Sequence, residues 1–192
     1  MKESANRGES DHDLVKRVLR GDKEAFGGIM QRYQRPIVNY CYRMVRNYEV
    51  STDLAQEVFI KAYNSLRSYD PRYKLSTWLY KIASNHLIDH LRKKEPRWVS
   101  IEQSLEEGNR PIEIRDPSAM GERDAVFADK QERIEEAIMR LPPTYRRLIV
   151  LRHVNDCSYE EMARICSIPL GTVKNRLFRA REMLRASLEG IL

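Results

Sequence analysis

The sequence is poor in cysteine and has no long apolar run, and each of these absences excludes a class of protein. The three cysteines, Cys41, Cys157 and Cys166, form no CxxC motif, so a disulfide framework is disfavoured and we expect reduced core thiols. No stretch of about eighteen apolar residues occurs, and the N-terminus is polar where a signal peptide would be apolar. We therefore expect a cytoplasmic protein that inserts no segment of its own into a membrane.

The sequence also lacks the patterns typical of enzymes and metalloproteins. It has no arrangement of nucleophile and base, no carboxylate pair and no Gly-rich phosphate loop, so we expect a non-catalytic protein without a cofactor. His86 and His90 have a spacing that suits a metal, but no third ligand is evident nearby. His153, Cys157 and Cys166 form a second conceivable set, but its cysteines are separated by a whole helix. We therefore predict no metal site, and core or interface roles for His86 and His90.

Apolar residues recur with the period of an α-helix through almost the whole chain, and no segment alternates as a strand does. The middle is different, because it is rich in proline, glycine and acidic residues and has little periodicity. We predict an all-α protein with two small helical domains, at 12–96 and 125–192, joined by a flexible acidic linker at 97–124. In the first domain we expect separate helices on either side of Pro36, and a later one at about Asp53–Leu66.

The charge is biased toward lysine and arginine, and it is unevenly distributed. The 34 basic residues outnumber the 28 acidic ones, which favours a polyanionic partner. The stretches 72–97 and 170–185 are basic, whereas 100–124 is acidic. We interpret the basic stretches as two surfaces for nucleic acid separated by a spacer, although a single charge run is more often a solvated face.

The C-terminal segment has the pattern of a helix-turn-helix. Ser158 and Glu161 form a capping box at the start of a short helix, and Pro169 suits the start of the next one. On the last helix Val173, Leu177, Ala180 and Leu184 form one apolar stripe. Either the other face reads DNA, or the segment is a structural hairpin with a basic surface. The predicted DNA-reading residues are Thr172, Lys174, Asn175, Arg176, Phe178 and Arg179.

Aromatic and cationic residues are interleaved around the start of a long helix that we expect from Ser76 or Thr77 to Lys94. Unpaired bases stack on aromatic rings and phosphates follow cations, so this composition suits single-stranded nucleic acid. An alternative of equal weight is that Trp78 only covers a junction between two helices. The residues in question are Tyr69, Arg72, Tyr73, Lys74, Trp78, Lys81 and Asn85.

The helix predicted at Asp53–Leu66 has a polar outer face. Asp53, Gln56 and Glu57 lie on this face together with Ile60, and an exposed isoleucine among polar groups is typical of a contact with a partner protein. Acidic residues near the start of a helix also interact favourably with the helix dipole, which would explain them without a partner.

Four segments follow one another along the chain: DLAQEVFIKAYNSL, STWLYKIASNHLIDHLRKK, LPPTYRRLIVLRHV and SYEEMARICSIPLGTVKNRLFRAREML. In this order, with a variable acidic segment in the middle, they resemble the extracytoplasmic-function (ECF) sigma factors of bacterial RNA polymerase. The resemblance extends from about His12 to Leu188. It implies a promoter-specificity subunit whose partners are core RNA polymerase, promoter DNA and an anti-sigma factor.

The resemblance also assigns roles to the three residue sets above. It places Asp53, Gln56 and Glu57 against core polymerase, the set from Tyr69 to Asn85 on the −10 element, and the C-terminal set on the −35 element. Two other functions stay open at this point: a stand-alone helix-turn-helix regulator, and a helical adaptor with incidental basic faces.

Overall fold

The structure is a computed structural model, which describes residues 9–106 and 126–189. These residues contain α-helices, one short 3-10 helix and no strand, which confirms the all-α class. No helix among them is long and apolar enough to cross a membrane. The α-helices are α1 (Asp11–Leu19), α2 (Glu24–Val45), α3 (Tyr48–Ser65), α4 (Leu75–Lys94), α5 (Arg97–Glu106), α6 (Val126–Arg140), α7 (Pro143–His153), α8 (Tyr159–Cys166) and α9 (Leu170–Leu188).

The chain divides into two compact units. The first is formed by the residues up to Leu87 together with Arg164–Ser167, and the second by the remainder. In the first unit α2 packs against α1 and α3. Its core includes Ile29, Tyr40 and Met44, which are inaccessible to solvent.

Helix α2 continues through Pro36, so the prediction of two separate helices at this point was wrong. A proline inside a helix removes one hydrogen bond and costs about 3 kcal/mol. The apolar residues before and after it stay in phase, however, and Ile29, Ile37 and Tyr40 are all fully buried along α2. Burial of one continuous stripe offsets the cost of the proline.

Helix α3 begins at Tyr48, five residues before the predicted start at Asp53. The Asn47 side chain caps it by accepting a hydrogen bond from the Val50 amide at 3.0 Å. Ser51 and Thr52, which precede the predicted start, lie inside the helix and donate back to carbonyls four residues earlier. The cap at Asn47 therefore sets the start of α3 earlier than the sequence predicted.

The second unit contains a helix that the sequence did not predict. The first ten residues of the predicted linker form α5, so only 107–124 remains as the predicted linker, and these residues lie outside those described. Trp98 and Leu105 are seven residues apart on one face of α5, and both are buried. The acidic composition of the predicted linker as a whole had obscured this apolar spacing.

Candidate functional site

The helix-turn-helix is held by the capping box that the sequence predicted. Ser158 Oγ accepts from the Glu161 amide at 3.1 Å, and Glu161 Oε2 accepts from the Ser158 amide at 2.9 Å. Ser167 ends α8 in the left-handed region with φ of 53°, and Pro169 is the N-cap of α9. The turn is therefore short, and α9 begins immediately after it.

Helix α9 has one buried face and one exposed face. Val173, Leu177 and Ala180 are buried as predicted, whereas Leu184 is only half-buried. On the other face Phe178 is 64% exposed, although it is a large apolar residue. Lys174 and Asn175 are exposed beside it, and Thr172 is half-buried.

The two arginines of the predicted DNA-reading set contact α5. Arg176 forms an ion pair with the carboxylate of Glu106, and Arg179 donates to the backbone carbonyl of Leu105. Both arginines are consequently half-buried. The sequence could not reveal this contact, since it joins residues 70 and 74 positions apart.

The loop before α4 is ordered by its own side chains. Tyr69 donates its hydroxyl proton to the carbonyl of Tyr73 at 2.7 Å, and its ring lies 5.7 Å from that of Trp78. Burial raises the pKa of Tyr69, with smaller contributions from Asp11 and Asp70, so the phenol stays a hydrogen-bond donor. Trp78 is half-buried rather than fully exposed, because Tyr69 covers part of its ring.

The cations of this region are accessible to solvent. Lys74, Lys81 and Asn85 are exposed. Arg72 forms an ion pair with Asp70 at 2.6 Å, and its side chain is 80% exposed. Hydrogen bonding to Arg72 lowers the pKa of Asp70, but exposed pairs of this kind contribute little free energy and are easily exchanged for another partner. Lys81 lines one cavity together with Tyr69, Tyr73 and Trp78.

The polar face of α3 is exposed as the sequence predicted. Asp53, Gln56 and Glu57 are all exposed, and Ile60 beside them is 61% exposed. Glu57 has a partner that the sequence did not reveal, since its carboxylate lies 3.0 Å from Nε2 of His86.

His86 is half-buried between two polar residues of α3. Lys61 Nζ lies 2.5 Å from the Nδ1 of His86, and the Glu57 carboxylate contacts the Nε2 of the same ring. The histidine therefore lies at the edge of the α3 surface. Among residues 9–106 and 126–189 no group of three metal-ligating side chains comes together.

The sequence matches two family descriptions in the order of the two predicted domains. Sigma-70 region 2 matches residues 29–97, and Sigma-70, region 4 matches residues 131–184. The ECF RNA polymerase sigma factor SigW of Bacillus subtilis is 39% identical over 179 residues, which is 92% of this chain and 96% of that protein. The chain belongs to the ECF sigma factors.

Other relatives support the same family. The RNA polymerase sigma-H factor of Pseudomonas aeruginosa is 36% identical to this sigma factor over 96% of each chain. Two solved structures share the fold. CnrH, in complex with the cytosolic domain of CnrY, has a TM-score of 0.65 and 21% identity over 95% of this chain and 99% of that one. The Bartonella quintana sigma factor RpoE, in complex with the anti-sigma factor NepR, has a TM-score of 0.60 and 23% identity over 85% and 96%.

Family membership decides between the functions left open by the sequence. The sigma factor binds core RNA polymerase and directs promoter-specific initiation of transcription, so it is not a stand-alone regulator. It is a non-enzymatic initiation factor, as the lack of catalytic motifs had indicated.

Proposed function

We propose that the exposed face of α9 reads the −35 element in the major groove. The observation that carries this proposal is the burial of Val173, Leu177 and Ala180, which turns Lys174 and Asn175 toward solvent. Asparagine can bond an adenine edge through two hydrogen bonds, and lysine can hold a phosphate. The remaining members of this −35 surface are Thr172, Arg176, Phe178 and Arg179.

The test is run-off transcription with core polymerase on a promoter library, read by sequencing. Asn175→Ala and Arg179→Ala are each expected to cost about 1–3 kcal/mol and to relax the base preference in the −35 element. Arg185→Ala is a matched control, because it removes one exposed cation from the last turn of α9. An unchanged base preference in both test variants would contradict the assignment.

The loop before α4 and the first turns of that helix form the proposed −10 surface. Tyr69, Tyr73 and Trp78 provide aromatic rings around one cavity, and unpaired bases stack on such rings. Exposed cations and an amide surround them, which suits the backbone of an opened strand. The complete surface is Tyr69, Arg72, Tyr73, Lys74, Trp78, Lys81 and Asn85.

Asp53, Gln56 and Glu57 form the proposed polymerase surface on α3. All three are exposed, and Ile60 adds apolar area to a polar patch. Asp53→Lys reverses one charge without removing a buried group, so it is expected to weaken co-purification with core polymerase. Glu132→Lys is the control, since it reverses an exposed charge on α6. Equal co-purification of the two variants would count against this surface.

We further propose that the sigma factor acts in the cytoplasm, where its polymerase is, and that an anti-sigma factor restrains it there. Each of the two similar structures contains a bound partner protein, and in one of them a sigma factor is bound to an anti-sigma factor. A protein that binds the full chain and is displaced by purified core polymerase would satisfy this proposal. A binding protein that leaves core association unchanged would not.

A further inference from the structure

Helix α5 is anchored in the second unit by one buried carboxylate. Glu102 is 3% exposed. Its Oε2 accepts from Arg92 at 2.7 Å, and its Oε1 accepts from the Thr144 amide at 3.0 Å. Pro142 supplies no side-chain cap to α7, so Glu102 takes the role of the cap from 42 residues away. A carboxylate at a helix N-terminus is also favoured by the helix dipole.

The C-terminal end of α5 is thereby brought to α9. Glu106 pairs with Arg176, and the Leu105 carbonyl accepts from Arg179. Carbonyls in the last turn of a helix carry partial negative charge. Arg176 therefore contacts an anionic oxygen, as a phosphate would provide, and Arg179 contacts a carbonyl oxygen, as a base edge would provide.

The contact covers only part of the −35 surface. Lys174, Asn175 and Phe178 stay exposed, whereas Arg176 and Arg179 are half-buried. A guanidinium that is held by α5 in this geometry must break this contact before the same N–H groups can bond a base edge or a phosphate. In the free chain, two of the six proposed reading residues are therefore engaged by α5.

We propose that α5 is an intramolecular mask of the −35 surface, which competes with promoter DNA for Arg176 and Arg179. The mask must leave α9 when the −35 element is bound. This inference rests on the proposed function of α9 and adds to it a regulatory element. In this scheme α5 blocks promoter contacts of α9 until it is displaced.

The first test is the affinity of the full chain, without polymerase, for a duplex carrying the −35 element enriched from the promoter library. Glu106→Gln removes the ion pair but keeps the size of the side chain, and it is expected to tighten binding about fivefold, the upper limit for a pair of this exposure. Glu136→Gln is the matched control. It also removes one acidic charge, from a residue 55% exposed against 54% for Glu106, and it breaks a pair with Arg140 instead.

The comparison with Glu136→Gln corrects for charge, because removing any acidic residue strengthens non-specific binding to DNA. Equal affinities of the two variants, for both the selected duplex and a scrambled one, would overturn the mask. Hydrogen exchange provides a second measurement. The amides of residues 97–106 are expected to exchange faster when the selected duplex is added, and unchanged exchange in the bound state would contradict the proposal.

Failure of the mask is distinguishable from failure of the −35 assignment. If Asn175→Ala leaves affinity for the selected duplex unchanged, α9 does not read this DNA and both proposals are overturned. If Asn175→Ala weakens binding while Glu106→Gln behaves as Glu136→Gln does, the −35 assignment stands and only the mask is lost.

Discussion

At the scale of single residues, each of the three proposed surfaces includes exposed side chains for which the fold shows no structural role. Lys174, Asn175 and Asp53 are exposed. Packing within the chain therefore does not explain these residues, whereas contact with DNA or polymerase would. The cysteines show the opposite case. None of the three forms a disulfide and all are buried, as expected, and burial raises the pKa of Cys41 to about 12. Such a thiol is a small apolar core group and not a nucleophile.

Gly171 offers a residue-scale test of close approach to DNA. A Cβ added at this exposed position of α9 would meet no atom within 4 Å, and alanine favours a helix over glycine by about 1 kcal/mol. Gly171→Ala should therefore raise the free energy of unfolding while lowering transcription from the selected promoters, where the sugar-phosphate backbone comes close.

Gly27 supplies the control for this substitution. It is exposed on α2, and a Cβ there also meets no atom within 4 Å. Gly27→Ala is expected to stabilise the chain without reducing transcription. Urea unfolding measures the stability of both variants, and run-off transcription measures their promoter activity. Full promoter activity of Gly171→Ala would exclude close approach of DNA at this residue.

His153 gives a pH dependence whose sign follows from its surroundings. Burial, followed by Arg181 and Arg152, lowers its pKa below 6.5, against a smaller opposing effect of Asp156. Well above about pH 6.5 the ring is neutral in both the folded and the unfolded state. As the pH falls below that value the unfolded chain takes up the proton first, so the folded state loses stability.

Substitution of His153 should flatten this part of the pH profile. His153→Gln is expected to lose less stability than the unsubstituted chain between about pH 7 and about pH 5.5, by a small amount because the side chain is exposed. Urea unfolding at the two pH values provides the comparison. Parallel losses in the two proteins would show that His153 does not contribute.

At the scale of elements, prediction succeeded where structure is determined locally. The capping box of α8 and the apolar stripe of α9 involve residues three or four positions apart, so the sequence is sufficient to find them. Helix α2 was wrongly divided at Pro36 because the penalty of proline is local, whereas the burial that outweighs it is tertiary. Helix α5 was missed because its anchor, Glu102, acts on α7 through a contact that has no local signature.

For the candidate sites, the sequence likewise predicted features that depend on local periodicity and missed those that depend on tertiary contacts. Exposed faces follow from helical periodicity, so Asn175, Lys81 and Asp53 were placed correctly at the surface. Partners across the fold do not follow from it. The contact of Glu57 with His86 and those of Arg176 and Arg179 with α5 required coordinates.

The loop and helix of the proposed −10 surface should act together in opening the promoter. Lys81→Ala removes an exposed cation without disturbing the packing of Tyr69 on Trp78, and it is expected to reduce strand opening several-fold by weakening the hold on an opened strand. Lys16→Ala, on the exposed side of α1, removes the same charge from the same unit. Permanganate reactivity of unpaired thymines in the holoenzyme complex reports opening. Equal reactivity in both variants would argue against the surface.

At the scale of the whole molecule, the excess of basic over acidic residues promotes association with DNA but does not select a sequence. Selection requires that phosphate contacts and base contacts reside in different residues of one surface. The proposed −35 surface has this division, with Lys174 and Asn175 adjacent on α9.

Salt dependence should separate the two kinds of contact in the full chain. Lys174→Ala is expected to weaken binding to selected and scrambled duplexes alike and to make the plot of log affinity against log salt shallower by about one. Asn175→Ala should leave that slope unchanged and reduce the difference between the duplexes. Titrations at several salt concentrations measure both quantities, and identical slopes for Lys174→Ala and the unsubstituted chain would show that this lysine holds no phosphate.

The buried carboxylate of Glu102 has a practical consequence for anyone who divides this chain into fragments. The match to Sigma-70, region 4 begins at residue 131, and an expression clone cut there would omit Glu102, Trp98 and Leu105. The Thr144 amide would lose its acceptor. Each omitted apolar side chain would also remove about 1.5–3 kcal/mol of stabilisation that its burial provides. The matched family segment therefore leaves out side chains that belong to the same compact unit, and cloning limits for this domain should be chosen to include α5.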